Sequence, residues 1–174
     1  MILVLIYILT IFFARDYFSI QEMGLFFIAL GTIWLLFQIK NFTLKTTFQP
    51  IVLVIVGFIS YQLNDILVLK SFPLILSALF FFAFIYAEVT KEFFLIEHIG
   101  RFKKLDEQEH KYLEKTHLIW VVVTAINVSF HSYFLFYAST EMWTFYTTVG
   151  WYILLGCGIL FQIVFRRFYE KKAN

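Results

Sequence analysis

Apolar runs alternate with short polar breaks along the whole chain, and six runs stand out. Residues 2–14 come first and stop at Arg15-Asp16. Residues 23–39 follow Gln21-Glu22 and stop at Lys40-Asn41. Residues 48–63 lie between Lys45-Thr46-Thr47 and Asn64-Asp65. The fourth run is 66–87, with a helix expected over 71–87 and Ile66–Lys70 as its lead-in. Residues 118–137 and 142–165 close the series as a hairpin around Ala138-Ser139-Thr140-Glu141. A helix needs about 20 mainly apolar residues to cross the hydrocarbon core, with a working range of about 17–25. The first and third runs are shorter, so they must thin the bilayer, lean on flanking residues or form a re-entrant pair. The pattern predicts an all-α polytopic transmembrane bundle of six spans in one domain, with five spans as the alternative.

Two prolines fall where helices are expected to begin. Pro50 follows Thr47 and Pro73 follows Ser71. Proline is tolerated in a first turn because its missing N–H would have had no intrahelical partner there. A kink inside one continuous fourth helix is the other reading. The single long connection, 88–117, carries Leu95, Ile99 and Phe102 at helical spacing among charges, as an amphipathic surface segment does. Asp106-Glu107-Gln108-Glu109 has the form of a capping box, so the fifth helix is expected to start there.

Composition sharpens this picture. The chain is 61% hydrophobic and 15% charged, against about half and a quarter in soluble domains, which points to lipid. The first run lacks a basic start, and Arg15-Asp16 stands where a signal cleavage site would carry small residues. It therefore reads as a retained first span. With the N-terminus inside, only Arg15 and Lys70 of the 14 basic residues fall in outer loops. The rest lie in 40–47, in 88–117 and beyond Phe165, which places both termini in the cytoplasm by the positive-inside rule. The lone Cys157, inside an apolar run, reads as a small packing residue.

The polar residues inside the runs are the candidates for function. His117, Trp120, Thr124, Asn127 and His131 recur at separations of three and four and so share one helix face. Such residues must face other helices or an aqueous cleft. The seam His117, Thr124, Asn127, His131 thus either binds a headgroup or relays a proton, or it supplies interhelical hydrogen bonds of about 0.6–2 kcal/mol each. Gly150, Gly156 and Gly158 predict close backbone approach in the sixth span, and Trp143, Tyr146, Trp151 and Tyr152 an aromatic belt at its outer end. In the inner loop Arg101, Phe102, Lys103 and Lys104 form a candidate docking patch for anionic lipid or a cytoplasmic partner; a solvated connector is the alternative. The four histidines never take metal-ligand spacing, and no phosphate loop or nucleophile elbow occurs. No catalytic residue, metal or cofactor is expected, and the basic residues follow topology rather than forming a nucleic-acid face.

The C-terminal two-thirds resembles a family of small bacterial inner-membrane proteins related to intracellular septation protein A. The resemblance rests on Lys70-Ser71-Phe72-Pro73-Leu74, on Glu97 with Arg101-Phe102-Lys103-Lys104-Leu105, and on the spacing of Tyr112, Trp120 and Asn127. Ser139 to Tyr146, Gly156 and Arg166-Arg167 complete it, over about residues 66–168. Thr147-Thr148 departs from an Asn-Gly of many relatives, and Gln162 stands where they often carry Glu. The resemblance implies a multi-pass inner-membrane protein of the cell envelope, linked to septation, with envelope-synthesis or division proteins as partners. A link to fatty-acid or aryl-polyene-type lipid synthesis is its other implication.

Overall fold

The computed structural model describes residues 2–14, 16–38, 44–93, 96, 99–100 and 104–173. Every regular element among these residues is helical, as the apolar pattern predicts. In order they are α1 (Ile2–Ala14), α2 (Ile20–Gln38), α3 (Leu44–Leu63), α4 (Ile66–Lys70), α5 (Phe72–Thr90), α6 (Glu107–Tyr137) and α7 (Thr140–Phe145). One π-helical turn, Tyr146–Gly150, then leads into α8 (Trp151–Ala173). By length and composition four stretches can cross a membrane: Ile20–Gln38, Ile66–Thr90, Glu107–Tyr137 and Thr140–Arg166. Thr47–Leu63 is a shorter apolar helix. With 13 residues α1 rises about 20 Å, against a hydrocarbon core of about 30 Å.

Local chemistry sets these boundaries. Ser19 opens α2 with a complete capping box: its N–H and hydroxyl both donate to Glu22 Oε2 at 2.8 Å, and the Glu22 N–H donates back to Ser19 Oγ at 3.2 Å. Asp106 Oδ1 accepts from the Glu109 N–H at 2.7 Å and starts α6 at Glu107. The Glu109 carboxylate also lies 3.4 Å from Arg166 of the C-terminal helix. Pro73 is the second residue of α5; its missing N–H explains the break at Ser71, whose own N–H stays bonded to Leu67 and Val68. Pro50 lies inside a helix instead of in a first turn, because α3 begins at Leu44 and takes in the polar Lys45-Thr46-Thr47.

The chain forms two compact units. The first comprises Met1–Leu76 and His131–Thr148. Its core joins Tyr7, Ile11, Phe27, Leu53, Leu69, Phe72 and Trp143, with the Tyr7 ring 4.4 Å from Phe27 and 4.7 Å from Phe72. Within it α2 and α3 touch backbone to backbone. A Cβ built on Gly24 would lie 2.8 Å from the Gly57 carbonyl oxygen, and one on Gly57 would lie 2.8 Å from the Gly24 oxygen. Gly31 is as tightly held, 2.7 Å from a Val54 methyl and 2.9 Å from the Pro50 oxygen. The expectation of close approach in the sixth span is corrected in part. A Cβ on Gly156 would meet nothing within 4 Å, whereas one on Gly158 would sit 3.1 Å from Val123.

The second unit comprises Ser77–Phe130 and Val149–Asn174. Ala87, Phe93 and Ile96 are buried together, with Leu105 and Leu113 packed on them. On α6 the exposed side chains Leu118, Val122, Ile126 and Phe130 recur every four residues and are all apolar. The face turned inward carries Thr116, His117, Thr124 and Asn127. Water would favour the reverse arrangement; an apolar solvent favours this one.

Candidate functional site

Helix α6 carries the polar seam, and its polarity is inward at each expected position. His117, Thr124 and Asn127 are 2%, 4% and 2% exposed, and His131, in the first unit, is 5% exposed. At such burial an unmade hydrogen bond costs about 1–3 kcal/mol, so each group's partner decides what it can do.

In the second unit the seam is largely occupied. Asn127 Nδ2 donates to Ser77 Oγ of α5 at 2.7 Å. The Thr124 hydroxyl turns back on its own helix, 2.7 Å from the Trp120 carbonyl oxygen and 3.0 Å from that of Val121. His117 Nδ1 lies 2.9 Å from Glu88 Oε2, at the end of α5. Gln162 of α8 ties three residues of α6 at once. Its Nε2 donates to Thr116 Oγ1 at 2.9 Å and its Oε1 accepts from Trp120 Nε1 at 3.2 Å. Its backbone oxygen accepts from the Tyr112 hydroxyl. Thr116 Oγ1 can accept because its own proton goes to the Tyr112 carbonyl oxygen at 3.0 Å. A glutamate carboxylate at 162 would lack the N–H that this exchange uses.

In the first unit His131 stands beside an aromatic ring. Its imidazole lies 5.0 Å from the Tyr146 ring in an edge-to-face arrangement, and Tyr146 stacks on Phe134 at 4.7 Å. His131 Nδ1 is buried without a hydrogen-bond partner among the described residues, as is the Tyr7 hydroxyl. Tyr146 opens the π turn, and its neighbours Thr147 and Thr148 spend their hydroxyls on backbone oxygens one turn back. Lys70 is 6% exposed with its Nζ 5.6 Å from the centre of the Trp143 ring.

Of the candidate inner-loop patch, Arg101, Phe102 and Lys103 lie outside the described residues, as does Leu95; Lys104 is exposed. Ser77, Glu88 and Phe93 escaped the sequence reading, whereas Gln162 is named in it. Of these three only Glu88 left a signal, as a polar residue at the end of an apolar run. Among the described residues no group of three His, Cys, Asp or Glu stands close enough to hold a metal ion. The arrangement can lock α5, α6 and α8 in register and hold one imidazole against a carboxylate. No family model, curated protein or solved structure matches the chain.

Proposed function

We propose that this is a non-enzymatic, multi-pass protein of the bacterial inner membrane that scaffolds division or cell-envelope machinery. In this reading six spans cross the bilayer, both termini lie in the cytoplasm, and the loop 88–117 faces the cytoplasmic partners. The single observation that carries it is the occupancy of the seam. Asn127 is joined to Ser77 of α5, and Thr116 and Trp120 are joined to Gln162 of α8. A rigid helical frame with a charged inner loop suits a scaffold, and the resemblance to septation-related membrane proteins favours the same class.

The test is affinity purification of the tagged full chain from native membranes in mild detergent. Division or envelope-synthesis proteins are expected to co-purify and to be lost when Arg101, Lys103 and Lys104 are replaced together by serine. Recovery of the chain alone would remove the scaffold reading.

One observation favours a second reading, lipid handling in support of fatty-acid or aryl-polyene-type lipid synthesis. His131 is a buried base whose Nδ1 has no partner among the described residues. If it serves a lipid, His131→Phe abolishes lipid-linked activity in cells while the folded chain persists in the membrane. Unchanged activity in a folded His131→Phe chain would leave the histidine to packing.

A further inference from the structure

Three chain reversals lie at one end of the first unit. Gly24 faces Gly57 and Tyr61, and Gly31 faces Pro50 and Val54, so α2 and α3 run antiparallel. The start of α2 therefore stands beside the end of α3. The third reversal is the break at Ser139. Lys70, about one turn past the Asp65 cap, lies over the ring of Trp143, one turn past the Ser139 cap. That contact sets the two caps near one level.

Side chains at this end fall into three layers. At the tip stand the exposed carboxylates of Asp16, Glu22 and Glu141. Exposed rings come next: Phe13, Tyr17 and Phe18 at the first reversal, Tyr61 near the end of α3, and Tyr133 and Tyr137 in the last turns of α6. Tyr17 and Tyr137 are 84% and 80% exposed, and Tyr133 stacks on Tyr137 at 5.9 Å. Farther along, from Leu25 to Ala29 and from Ile55 to Ile59, every exposed side chain is apolar. Two of the aromatics that the sequence placed in a belt, Trp143 and Tyr146, are instead buried.

We propose that Phe13, Tyr17, Phe18, Tyr61, Tyr133 and Tyr137 form a belt in their place, and that the surface it fits is the headgroup zone of a phospholipid leaflet. The inference rests on the reading of the chain as a membrane protein and is independent of the scaffold role. In water, these rings would make an apolar patch of a kind that soluble monomers rarely show. In hydrocarbon, the tyrosine hydroxyls would lose the partners that water and ester oxygens supply, and the nearby carboxylates would be drawn in with them. A phenol is apolar along its body and polar at its tip, so the headgroup zone satisfies both parts. The order carboxylate, phenol, aliphatic thus follows the order water, headgroup, hydrocarbon. A contact with another protein would require no such layering.

The test is spin labelling of the full chain in vesicles of phosphatidylethanolamine and phosphatidylglycerol. The exposed Cys157 is first removed as Cys157→Ala. Labels are attached at Tyr17→Cys and Tyr137→Cys in the belt and at Ala29→Cys in α2. Depth is read from collisions with dioxygen relative to those with a water-soluble nickel chelate. The two belt labels are expected to agree within about 5 Å and to lie in the headgroup zone, which is about 5–7 Å thick on each side of the core. The Ala29 label is expected about 10 Å deeper, from a rise of about 1.5 Å per residue along α2. Belt labels as open to the chelate as a loop in water, with Ala29 still in lipid, overturn the belt and leave the membrane reading standing. Belt labels shielded from both reagents overturn it as well, because protein then covers the rings. An Ala29 label in water overturns the membrane reading and the belt with it. Phe18→Cys and Tyr133→Cys replace a belt variant that does not fold.

Discussion

Asn127 shows at the scale of one residue why the seam reads as architecture. Its amide is 2% exposed and donates to Ser77 Oγ, 50 residues away in sequence. Interhelical hydrogen bonds in membranes are worth about 0.6–2 kcal/mol, because the unfolded chain in lipid also finds partners. A double-mutant cycle of Asn127→Leu and Ser77→Ala should therefore return a coupling of about 0.6–2 kcal/mol, read from reversible unfolding in bicelles. A coupling indistinguishable from zero would mean that the contact does not hold α5 to α6. Gln162→Leu should cost more than either single change, about 2–3 kcal/mol, since it leaves the Trp120 N–H without its acceptor and removes the donor to Thr116. The face shared by His117, Trp120, Thr124 and Asn127 was legible, because separations of three and four define a helix stripe. Their partners were not. Ser77, Glu88 and Gln162 lie 29 to 50 residues from the groups they bind, and no periodicity links residues across helices.

At the scale of elements, the closest backbone contact at any described glycine lies between α2 and α3. Gly24 and Gly57 bring α2 and α3 to backbone contact, 2.8 Å from an added Cβ on either side. The glycines of the sixth span are denser in sequence. Density says little, however, about which glycine faces a neighbouring backbone. Gly24→Ala and Gly57→Ala are each expected to destabilise by about 1–3 kcal/mol, the usual cost of forcing atoms into a packed interface. Gly156→Ala should be neutral or slightly stabilising, because a Cβ there meets open space and alanine favours the helix by about 1 kcal/mol over glycine. Thermal melts of the purified variants in one detergent give the comparison. A larger loss for Gly156→Ala than for Gly24→Ala would reverse the assignment of the close interface. The apolar runs located each long helix well, since length and hydropathy are local properties. Helix starts were harder to place. Lys45-Thr46-Thr47 read as a loop from its polarity, yet the helix takes it in, and Pro50 consequently falls in the interior. The complete box at Ser19 and Glu22 follows a Ser-x-x-Glu pattern, a local signal of a helix start.

At the scale of the molecule, charge bears on which way the chain would point in a membrane and on how often it would cross. The stretches Ile66–Thr90, Glu107–Tyr137 and Thr140–Arg166 are long enough to cross without help. If all three cross, Asn64-Asp65 and Ser139 share one side, while Lys104 and the segment beyond Arg166 share the other. The basic residues then identify the Lys104 side as cytoplasmic. The short α3 is the deciding element. If it crosses, Lys40 and Lys45 join the basic side; if it does not, they stand opposite, against the charge rule. Lys70 does not offset this bias, because it is 6% exposed and its ammonium lies over the Trp143 ring. Single cysteines placed in a Cys157→Ala background test the argument with a membrane-impermeant maleimide. Ser139→Cys is expected to react in intact cells, while Lys104→Cys and Lys45→Cys react only after the membrane is opened. Reaction of Lys45→Cys in intact cells, with Lys104→Cys still protected, would show that α3 does not cross. Reaction of Lys104→Cys with Ser139→Cys protected would invert the orientation. An epitope placed ahead of Met1 settles the first run separately. Six spans keep it hidden in intact cells, and five expose it, because removing one crossing at the start moves the N-terminus and leaves every later loop on its side.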